Sequence, residues 1–190
     1  MSGPLQSAII WPEKYLPGTT DNFVSNEVIV KGVTAQQVWA KLADISQWKA
    51  YYKNVDKITP PTSSNELTKG CTFHFSTFGF PVITSNVEES VAPSPGRPGR
   101  IAWSAKLDGN SDEKVDVYHA WLVEDLDGGR VRVLTQESQI GKPAADLARL
   151  KPNKMLLGHQ DWLDGLVKAA KGEPVDLTST NLKAAGLEAY

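Results

Sequence analysis

Residues 115–140 have the sequence VDVYHAWLVEDLDGGRVRVLTQESQI, in which two runs of β-favouring residues flank Asp127-Gly128-Gly129. An aspartate followed by glycines between two such runs is typical of the tight turn that joins antiparallel strands. The sequence therefore predicts a β-hairpin. If residues 127–129 form a three-residue loop, Leu126 faces Arg130, and counting back along both strands places His119 opposite Glu137.

The two strands of this hairpin have one mostly apolar side and one more polar side, although Tyr118, Leu122 and Leu134 on the second side dilute the contrast. His119 and Glu137 share their side with a largely apolar set: Val115, Val117, Trp121, Val123, Val131, Val133 and Thr135. The other side includes Asp116, Glu124, Arg132 and Gln136. The apolar side is expected to face the core, which makes His119 and Glu137 a polar pair on the inner face. This depends on register, because a slip of one residue would separate them.

Such a pair has three interpretations, and the sequence leaves them all open. A buried ion pair or neutral hydrogen bond can be purely structural. Alternatively, the pair is a polar anchor for a carbonyl or hydroxyl group of a bound molecule. A histidine beside a carboxylate could also act as a general acid or base.

Residues 153–171 have a helical pattern that ends at Gly172, with Pro174 beyond. At about 100° per residue, one face of this helix is apolar apart from His159: Met155, His159, Trp162, Leu163, Leu166 and Ala170. A histidine there is either a core residue with a satisfied hydrogen bond or a residue that contacts a ligand in a cavity.

The rest of the chain predicts further strands and two short helices. Strands are expected over 23–31, 55–58, 67–78, 80–91 and 100–107, and residues 144–150 are helix-like. Thr34 and Gln37 form a capping-box pattern at the first short helix, and a second one, capped by Asp44 or Ser46, includes Trp48. We expect one domain over 23–171. An N-terminal arm (1–22), attached through Ile9, Ile10 and Trp11, precedes it, and a loosely attached C-terminal tail (172–190) follows.

Six aromatic residues are predicted to point inward from these elements: Trp39, Phe73, Phe75, Trp103, Trp121 and Trp162. Most inward aromatic residues belong to an ordinary core, but a broad cavity for a flat ligand is commonly lined in the same way. Together with His119, Glu137 and His159, these residues form the predicted ligand-binding set. His119, Glu137 and His159 are also the candidates for a catalytic role.

Composition excludes several other classes of function. The formal net charge is -2 without a dense basic cluster, which argues against a nucleic-acid partner. A single cysteine, Cys71, excludes an internal disulfide, and no secretory signal or membrane-spanning run is present, so a cytoplasmic location is expected. His74 is predicted to face solvent. The three histidines have no metal-ligand spacing and no cofactor motif occurs, so neither a metal nor a cofactor is expected.

The order of elements resembles the superfamily that joins START lipid-transfer domains, polyketide cyclases and birch-pollen allergens (SRPBCC). The resemblance covers residues 23–171 and is strongest in three segments. Residues 28–48 are similar to the opening strand and helix pair, 119–141 to the penultimate hairpin, and Gly158-His159 with Trp162-Leu163 and Leu166 to the closing helix. The resemblance implies an α+β helix-grip fold. In this fold a curved antiparallel sheet wraps around a long C-terminal helix, two short helices follow the first strand, and a cavity lies between sheet and helix.

The resemblance also implies the range of functions. Members of the superfamily bind lipids, sterols, polyketides or phenolics, and some cyclise or dehydrate polyketides. The first hypothesis is therefore a carrier or sensor of a small hydrophobic molecule. The alternative is a polyketide cyclase or dehydratase that uses cavity His and Glu side chains as acid and base. A weaker third option is a chaperone-activating domain that uses the outer face. The arm and tail leave open a lid or a homodimer contact.

Overall fold

Seven strands form one antiparallel sheet in the order β1-β7-β6-β5-β4-β3-β2. A computed structural model of the chain describes residues 6–178 and 180–187. The strands are β1 Asn22–Lys31, β2 Val55–Thr59, β3 Thr72–Thr77, β4 Ile83–Val91, β5 Gly99–Leu107, β6 Val115–Leu126 and β7 Arg130–Ile140. Because β1 pairs with β7, the segment between β1 and β2 crosses from one edge of the sheet to the other.

Within these described ranges five helices accompany the sheet, and 3-10 turns lie at Glu13–Tyr15 and Ile45–Gln47. The helices are α1 Ala35–Leu42, α2 Trp48–Tyr51, α3 Lys142–Arg149, α4 Lys154–Lys171 and α5 Asn181–Ala184. The predicted capping box is confirmed, since Thr34 and Gln37 bond reciprocally at the start of α1. The long helix α4 packs against β1, β7, α1 and α2. The predicted α+β helix-grip fold is therefore confirmed.

The register of the β6–β7 hairpin is the one that the turn predicts. Leu126 pairs with Arg130 and His119 pairs with Glu137. On the other side of β7, Gln139 pairs with Asn22 of β1. The inner side chains of three adjacent strands are thereby fixed relative to one another, which positions the polar groups described below.

The ends of α4 are set by local chemistry. The side-chain oxygen of Asn153 accepts hydrogen bonds from the backbone N–H groups of Met155 and Leu156, which have no partner within the helix. At the other end Gly172 adopts a left-handed conformation (φ 74°) that favours glycine. The apolar stripe of α4 is buried as predicted, including His159, Trp162 and Leu163.

Two predicted strands are shorter than expected. The strand predicted over 80–91 begins at Ile83, and the strand predicted over 67–78 loses its first part, which pairs elsewhere. Residues 67–78 read as one strand, but β3 begins at Thr72. The N–H group of Leu67 instead donates to the carbonyl oxygen of Ala43 (2.9 Å), and Asp44 pairs with Glu66 in an isolated bridge. This early segment thus fixes the connection between α1 and α2.

The N-terminal arm crosses the outer face of the sheet. The ring of Tyr15 stacks on Tyr118 of β6 at a centroid distance of 5.3 Å, and the Tyr15 hydroxyl donates to Asp116 (2.5 Å). Arg132 on the outer face donates to the carbonyl oxygen of Ser7 (2.7 Å). Ile9 and Trp11 pack against the buried residues of this face, which are Tyr15, Ala102, Tyr118 and Ala120. The same expectation is wrong for Ile10, which is 61% exposed.

The C-terminal segment is attached more firmly than expected over residues 180–187. Leu182 of α5 is buried. The backbone N–H of Asn181 donates to Asp161 of α4 at 2.6 Å. The prediction of a loose tail is therefore wrong for these residues. Residues 1–5, 179 and 188–190, which belong to the predicted arm and tail, lie outside the described residues. Within the described residues, no helix is long and apolar enough to cross a membrane.

Candidate functional site: a buried polar cluster at an apolar pocket

Three titratable side chains from three elements meet between the sheet and α4. Nδ1 of His119 (β6) lies 3.0 Å from Oε2 of Glu137 (β7), and Nε2 of His159 (α4) lies 3.3 Å from the same oxygen. The two imidazole rings stack at a centroid distance of 4.5 Å with 13° between their planes. We call His119, Glu137 and His159 the polar cluster. Sequence reasoning placed the first two together; the helix brings the third to the same oxygen.

The polar cluster is removed from solvent. Its side chains are exposed by 2% (His119), 8% (Glu137) and 2% (His159). Aromatic rings surround it: Trp103, Trp121 and Trp162 lie 4.7, 5.7 and 5.4 Å from the ring of His119. In such surroundings each charge or unpaired polar atom costs free energy, so the hydrogen bonds of the cluster determine its state.

A second set of polar residues orients the cluster. Nε2 of His119 lies 2.8 Å from the hydroxyl of Thr135. Gln139 donates from Nε2 to Oε1 of Glu137, and Asn22 donates to Oε1 of Gln139 at 2.7 Å. Asn153, the cap of α4, donates to Asn22 at 3.1 Å. One chain of hydrogen bonds therefore runs from Glu137 to the start of the long helix.

The environment separates the charge states of His119 and Glu137. Burial lowers the pKa of His119 to about 4, although Glu137 acts in the opposite direction. Burial also acts to raise the pKa of Glu137, but the attraction and hydrogen bonds of the two histidines outweigh it and hold this pKa well below its usual value. Burial thus favours the neutral form of His119, whereas the hydrogen bonds from the two histidines favour the ionised form of Glu137.

Some polar atoms near the cluster have no partner among the described residues. Nδ1 of His159 is buried without a hydrogen bond, and so is Nε1 of Trp121. Buried polar groups are nearly always hydrogen-bonded to protein or to bound water. The free nitrogen of His159 is thus a candidate contact for a molecule that enters the structure.

A mostly apolar pocket adjoins the polar cluster. It has a free volume of about 60 Å³, which corresponds to about two waters at ~30 Å³ each. Its polar end contains His119, Glu137, His159 and Gln139. Its apolar walls include Phe75, Ile83, Trp103, Ala105, Val117, Ala144 and Trp162. The pocket therefore combines an apolar body with one strongly polar end.

Four side chains separate this pocket from a second hollow. Phe78, Phe80, Leu147 and Met155 line both spaces. The second hollow has a free volume of about 290 Å³ and lies between the β3–β4 connection, α3 and the start of α4. We call these four residues the dividing wall. Movement of the wall would join the small inner space to the larger outer one.

The structure places six of the nine predicted ligand-binding residues on the pocket lining: Phe75, Trp103, His119, Glu137, His159 and Trp162. Trp39, Phe73 and Trp121 are buried in the core and do not line it. Trp39 approaches Gly99, and Phe73 packs against Trp48, so tight packing takes the place of a broad cavity there. Sequence reasoning missed the dividing wall, although the motif Phe78-Gly79-Phe80-Pro81 marks an apolar turn that could have indicated it.

The absence of a metal was predicted because the histidines do not have the short sequence separation of known metal-ligand motifs. In the polar cluster, the residues come together from distant parts of the sequence. One donor atom from each of His119, Glu137 and His159 lies within 4.8 Å of the other two. The three residues are far apart in the sequence, so no short motif could reveal them. His74, the remaining histidine, lies on β3 outside the pocket, with Nδ1 3.2 Å from the hydroxyl of Thr84.

Comparison with known proteins gives a fold and a family. Neither a protein-family profile nor a curated protein matches the chain. The di-domain ARO/CYC protein BexL is similar in structure with a TM-score of 0.53 and 12% identity, over 76% of this chain and 45% of BexL. Norcoclaurine synthase from Thalictrum flavum has a TM-score of 0.53 and 11% identity, over 78% of this chain and 93% of the synthase. At this identity the likeness concerns the fold, which is of the birch-pollen-allergen type.

A hypothetical protein from Helicobacter pylori is far more similar. Its crystal structure matches with a TM-score of 0.84 and 48% identity, over 89% of this chain and 99% of the other. Identity at this level over nearly the whole length of both chains extends well beyond the shared fold. The chain belongs to the same family as this Helicobacter pylori protein.

Proposed function

We propose that the protein binds a small, mostly apolar molecule in the inner pocket, as a carrier or sensor. The observation that supports this most directly is the contrast between the apolar walls and the buried polar cluster at one end. Ligand pockets typically combine apolar walls with a few polar groups that fix orientation. A hydroxyl or carbonyl group of the ligand would meet His119, Glu137 and His159, while its apolar body contacts Trp103 and Trp162.

The size of the pocket limits the ligand. A free volume of about 60 Å³ is below the ~300 Å³ at which pockets for drug-sized ligands begin. A ligand with even one aromatic ring therefore has to displace part of the dividing wall and extend toward the outer hollow. Phe78 and Phe80 lie in the connection between β3 and β4, whereas the polar cluster lies on packed strands and a helix. We expect the wall to move and the cluster to stay in place.

Tryptophan fluorescence provides the test, because Trp103 and Trp162 line the pocket. The probes are a naphthol, which has an apolar body and one hydroxyl, and naphthalene, which lacks the hydroxyl. We expect the naphthol to bind more tightly, and Glu137→Gln to reduce this difference by about tenfold, since one charge-assisted hydrogen bond is weakened. His74→Ala is the matched control and should bind like the wild type.

Two results would contradict the proposal. One is that neither probe binds to the folded protein at its solubility limit. The other is binding that Glu137→Gln and His74→Ala affect equally. Native mass spectrometry of protein purified from its own host adds a separate measurement, in which we expect a co-purifying small molecule that is lost on denaturation.

A second candidate function is acid–base catalysis, and the free Nδ1 of His159 favours it. If Nε2–H of His159 donates to Glu137, Nδ1 has the lone pair that a general base needs. Proteins of similar fold include the di-domain ARO/CYC protein BexL, from a biosynthetic pathway, and norcoclaurine synthase. A polyketide-like substrate would lose a proton from the carbon between two carbonyls to Nδ1. The resulting enolate would then attack a further carbonyl carbon to close a ring, and the alkoxide formed would take the proton back from Nδ1. Alternatively, the enolate would expel a β-hydroxyl group, which would leave as water with the same proton.

Deuterium exchange into a simple β-diketone tests this candidate without knowledge of the natural substrate. An active site of this kind would accelerate exchange at the central carbon, and His159→Asn would lower the rate by about a hundredfold or more. His74→Ala should leave the rate unchanged. If the wild type exchanges at the rate of buffer alone, catalysis of this class is excluded and the binding function stands.

A further inference from the structure

We propose that the polar cluster is a binding site for one divalent transition-metal ion such as Zn²⁺. Its ligand atoms would be Nδ1 of His119, Oε2 of Glu137 and Nε2 of His159. The proposal is independent of the ligand-binding function, because the metal is tested without any organic molecule present.

The three donor atoms lie close together. The two histidine nitrogens lie 3.0 and 3.3 Å from Oε2 of Glu137. Two ligands bound to zinc at ~2.1 Å each, with angles of about 90–105°, lie ~3.0–3.3 Å apart. All three donors fall within 4.8 Å of one another. The two imidazole rings are stacked with 13° between their planes, so an ion could be bound once one ring tilts and both ring nitrogens point toward it.

The surroundings resemble the outer shell of a metal site. A histidine that binds a metal generally hydrogen-bonds through its other ring nitrogen, and a ligating carboxylate is itself hydrogen-bonded. Nε2 of His119 has Thr135 as its partner at 2.8 Å. Oε1 of Glu137 accepts from Gln139, which Asn22 holds in turn. Two of the three proposed ligands are thus oriented by partners that leave the proposed donor atoms facing inward.

Charge also favours a cation at this position. Glu137 is a buried carboxylate, and among the described residues its ionic partners are the two histidines alone. A buried carboxylate in an aromatic environment is unfavourable unless its negative charge is offset. A divalent ion would offset it. Two imidazole ligands favour zinc, cobalt or nickel over magnesium and calcium, which prefer oxygen.

The pocket lies next to the polar cluster and could provide space for a fourth metal ligand. All three proposed ligands line the inner hollow. Three protein ligands with an open fourth position are typical of zinc sites that bind water or an exogenous group, whereas purely structural sites use four protein ligands. The oxygen of a molecule in the pocket could occupy the open position.

Metal titration of chelator-treated protein tests the proposal. Isothermal titration with Zn²⁺ should show one ion per chain, and Co²⁺ should give the visible absorption of a four-coordinate nitrogen and oxygen site. Glu137→Gln and His159→Asn should each weaken binding by more than the about ten- to hundredfold expected for the outer-shell variant Thr135→Ala. His74→Ala removes the histidine outside the pocket and should leave both the affinity and the Co²⁺ spectrum unchanged.

A measurement on the wild type guards against variants that fail to fold. Crystals soaked in Zn²⁺ and recorded at the zinc absorption edge should show an anomalous peak between the three side chains, within about 2.3 Å of each donor atom. Absence of binding by the folded wild type would overturn the proposal. So would a peak elsewhere, or titrations that Glu137→Gln and His159→Asn leave unaltered. Probe binding by the metal-free protein would persist in that case and would keep the two proposals distinct.

Discussion

The ring of Phe78 lies directly against the backbone of Gly158, where its Cζ and Cε1 atoms fill the space that a β-carbon at position 158 would need. Phe78 follows β3 and belongs to the dividing wall, whereas Gly158 belongs to α4. Loop and helix meet here because position 158 has no side chain. The contact closes the wall beside the polar cluster.

Gly158→Ala should open the wall. The atoms that an alanine would meet are the far end of a flexible side chain, so the Phe78 ring can swing away. We expect the naphthol probe to associate several times faster. Stability should change little, because the better helix propensity of alanine, about 1 kcal/mol, offsets part of the lost packing. Stopped-flow tryptophan fluorescence and urea unfolding measure the two effects.

Gly165→Ala is the matched variant on the same helix. A β-carbon at position 165 would collide with the carbonyl oxygen of Tyr51, which is backbone and cannot rotate away. We expect a loss of about 2–4 kcal/mol in the free energy of unfolding. The rate of naphthol association should stay close to that of the wild type. Equal destabilisation by the two alanines would show that Phe78 cannot move as we infer.

Glu137→Ala should destabilise the protein strongly. The substitution removes the acceptor shared by His119 and His159 and the partner of Gln139. We expect a loss of about 3 kcal/mol in the free energy of unfolding, since several buried donors lose their partner. Glu137→Gln keeps one acceptor oxygen and nearly the same volume, so its loss should be about 1 kcal/mol. Urea unfolding measures both, with exposed Glu173→Ala as a control near zero.

Tyr15→Ala should detach the arm from the outer face of the sheet. Tyr15 is buried, stacks on Tyr118 and bonds to Asp116. We expect a loss of about 3 kcal/mol, as for other large buried aromatic residues changed to alanine, and faster proteolysis of the arm. Ile10→Ala in the same arm should cost less than about 0.5 kcal/mol, because Ile10 is 61% exposed. Similar losses for both would show that the arm does not pack as described.

Stability should fall steeply in alkaline solution. Burial raises the pKa of Tyr118 to about 12 and also raises the pKa values of Tyr15, Tyr51 and Tyr52. In the unfolded chain tyrosine ionises near pH 10, so between about pH 10 and 12 the unfolded state binds fewer protons than the native state. Stability is therefore lost as the pH rises through this window.

Tyrosinate absorbance and circular dichroism, followed together, check the alkaline prediction. The Tyr190→Phe background removes the tyrosine that lies outside the described residues. We expect both signals to change in one transition. An absorbance increase near pH 10 with the fold intact would contradict the burial of these phenols.

The fold and the centre of the site could be predicted because local signals determine them. Asp127-Gly128-Gly129 fixes the turn, the turn fixes the register, and the register places His119 beside Glu137. The helical period then places His159 on the buried face of α4. Each of these predictions depends only on the spacing of residues within one pair of strands or one helix.

The rest of the site depends on contacts between distant elements. Trp39, Phe73 and Trp121 were predicted on the cavity wall, but the helix and its neighbours pack closely enough to enclose them in the core. Arg132 lies on the polar side of β7 and is nonetheless buried, because it bonds to Ser7 of the arm and to Glu27 and Glu124. The alternation of apolar and polar residues along β7 cannot predict that the arm covers its outer face.

The dividing wall and the polar cluster come from different parts of the fold. The wall consists mainly of one connection and one short helix, while the cluster belongs to the central strands and α4. Substitutions in the wall could therefore alter which molecules fit without disturbing the groups that we propose to contact the ligand. Under that proposal, selectivity could diverge among members of the family while the polar end of the pocket stays the same.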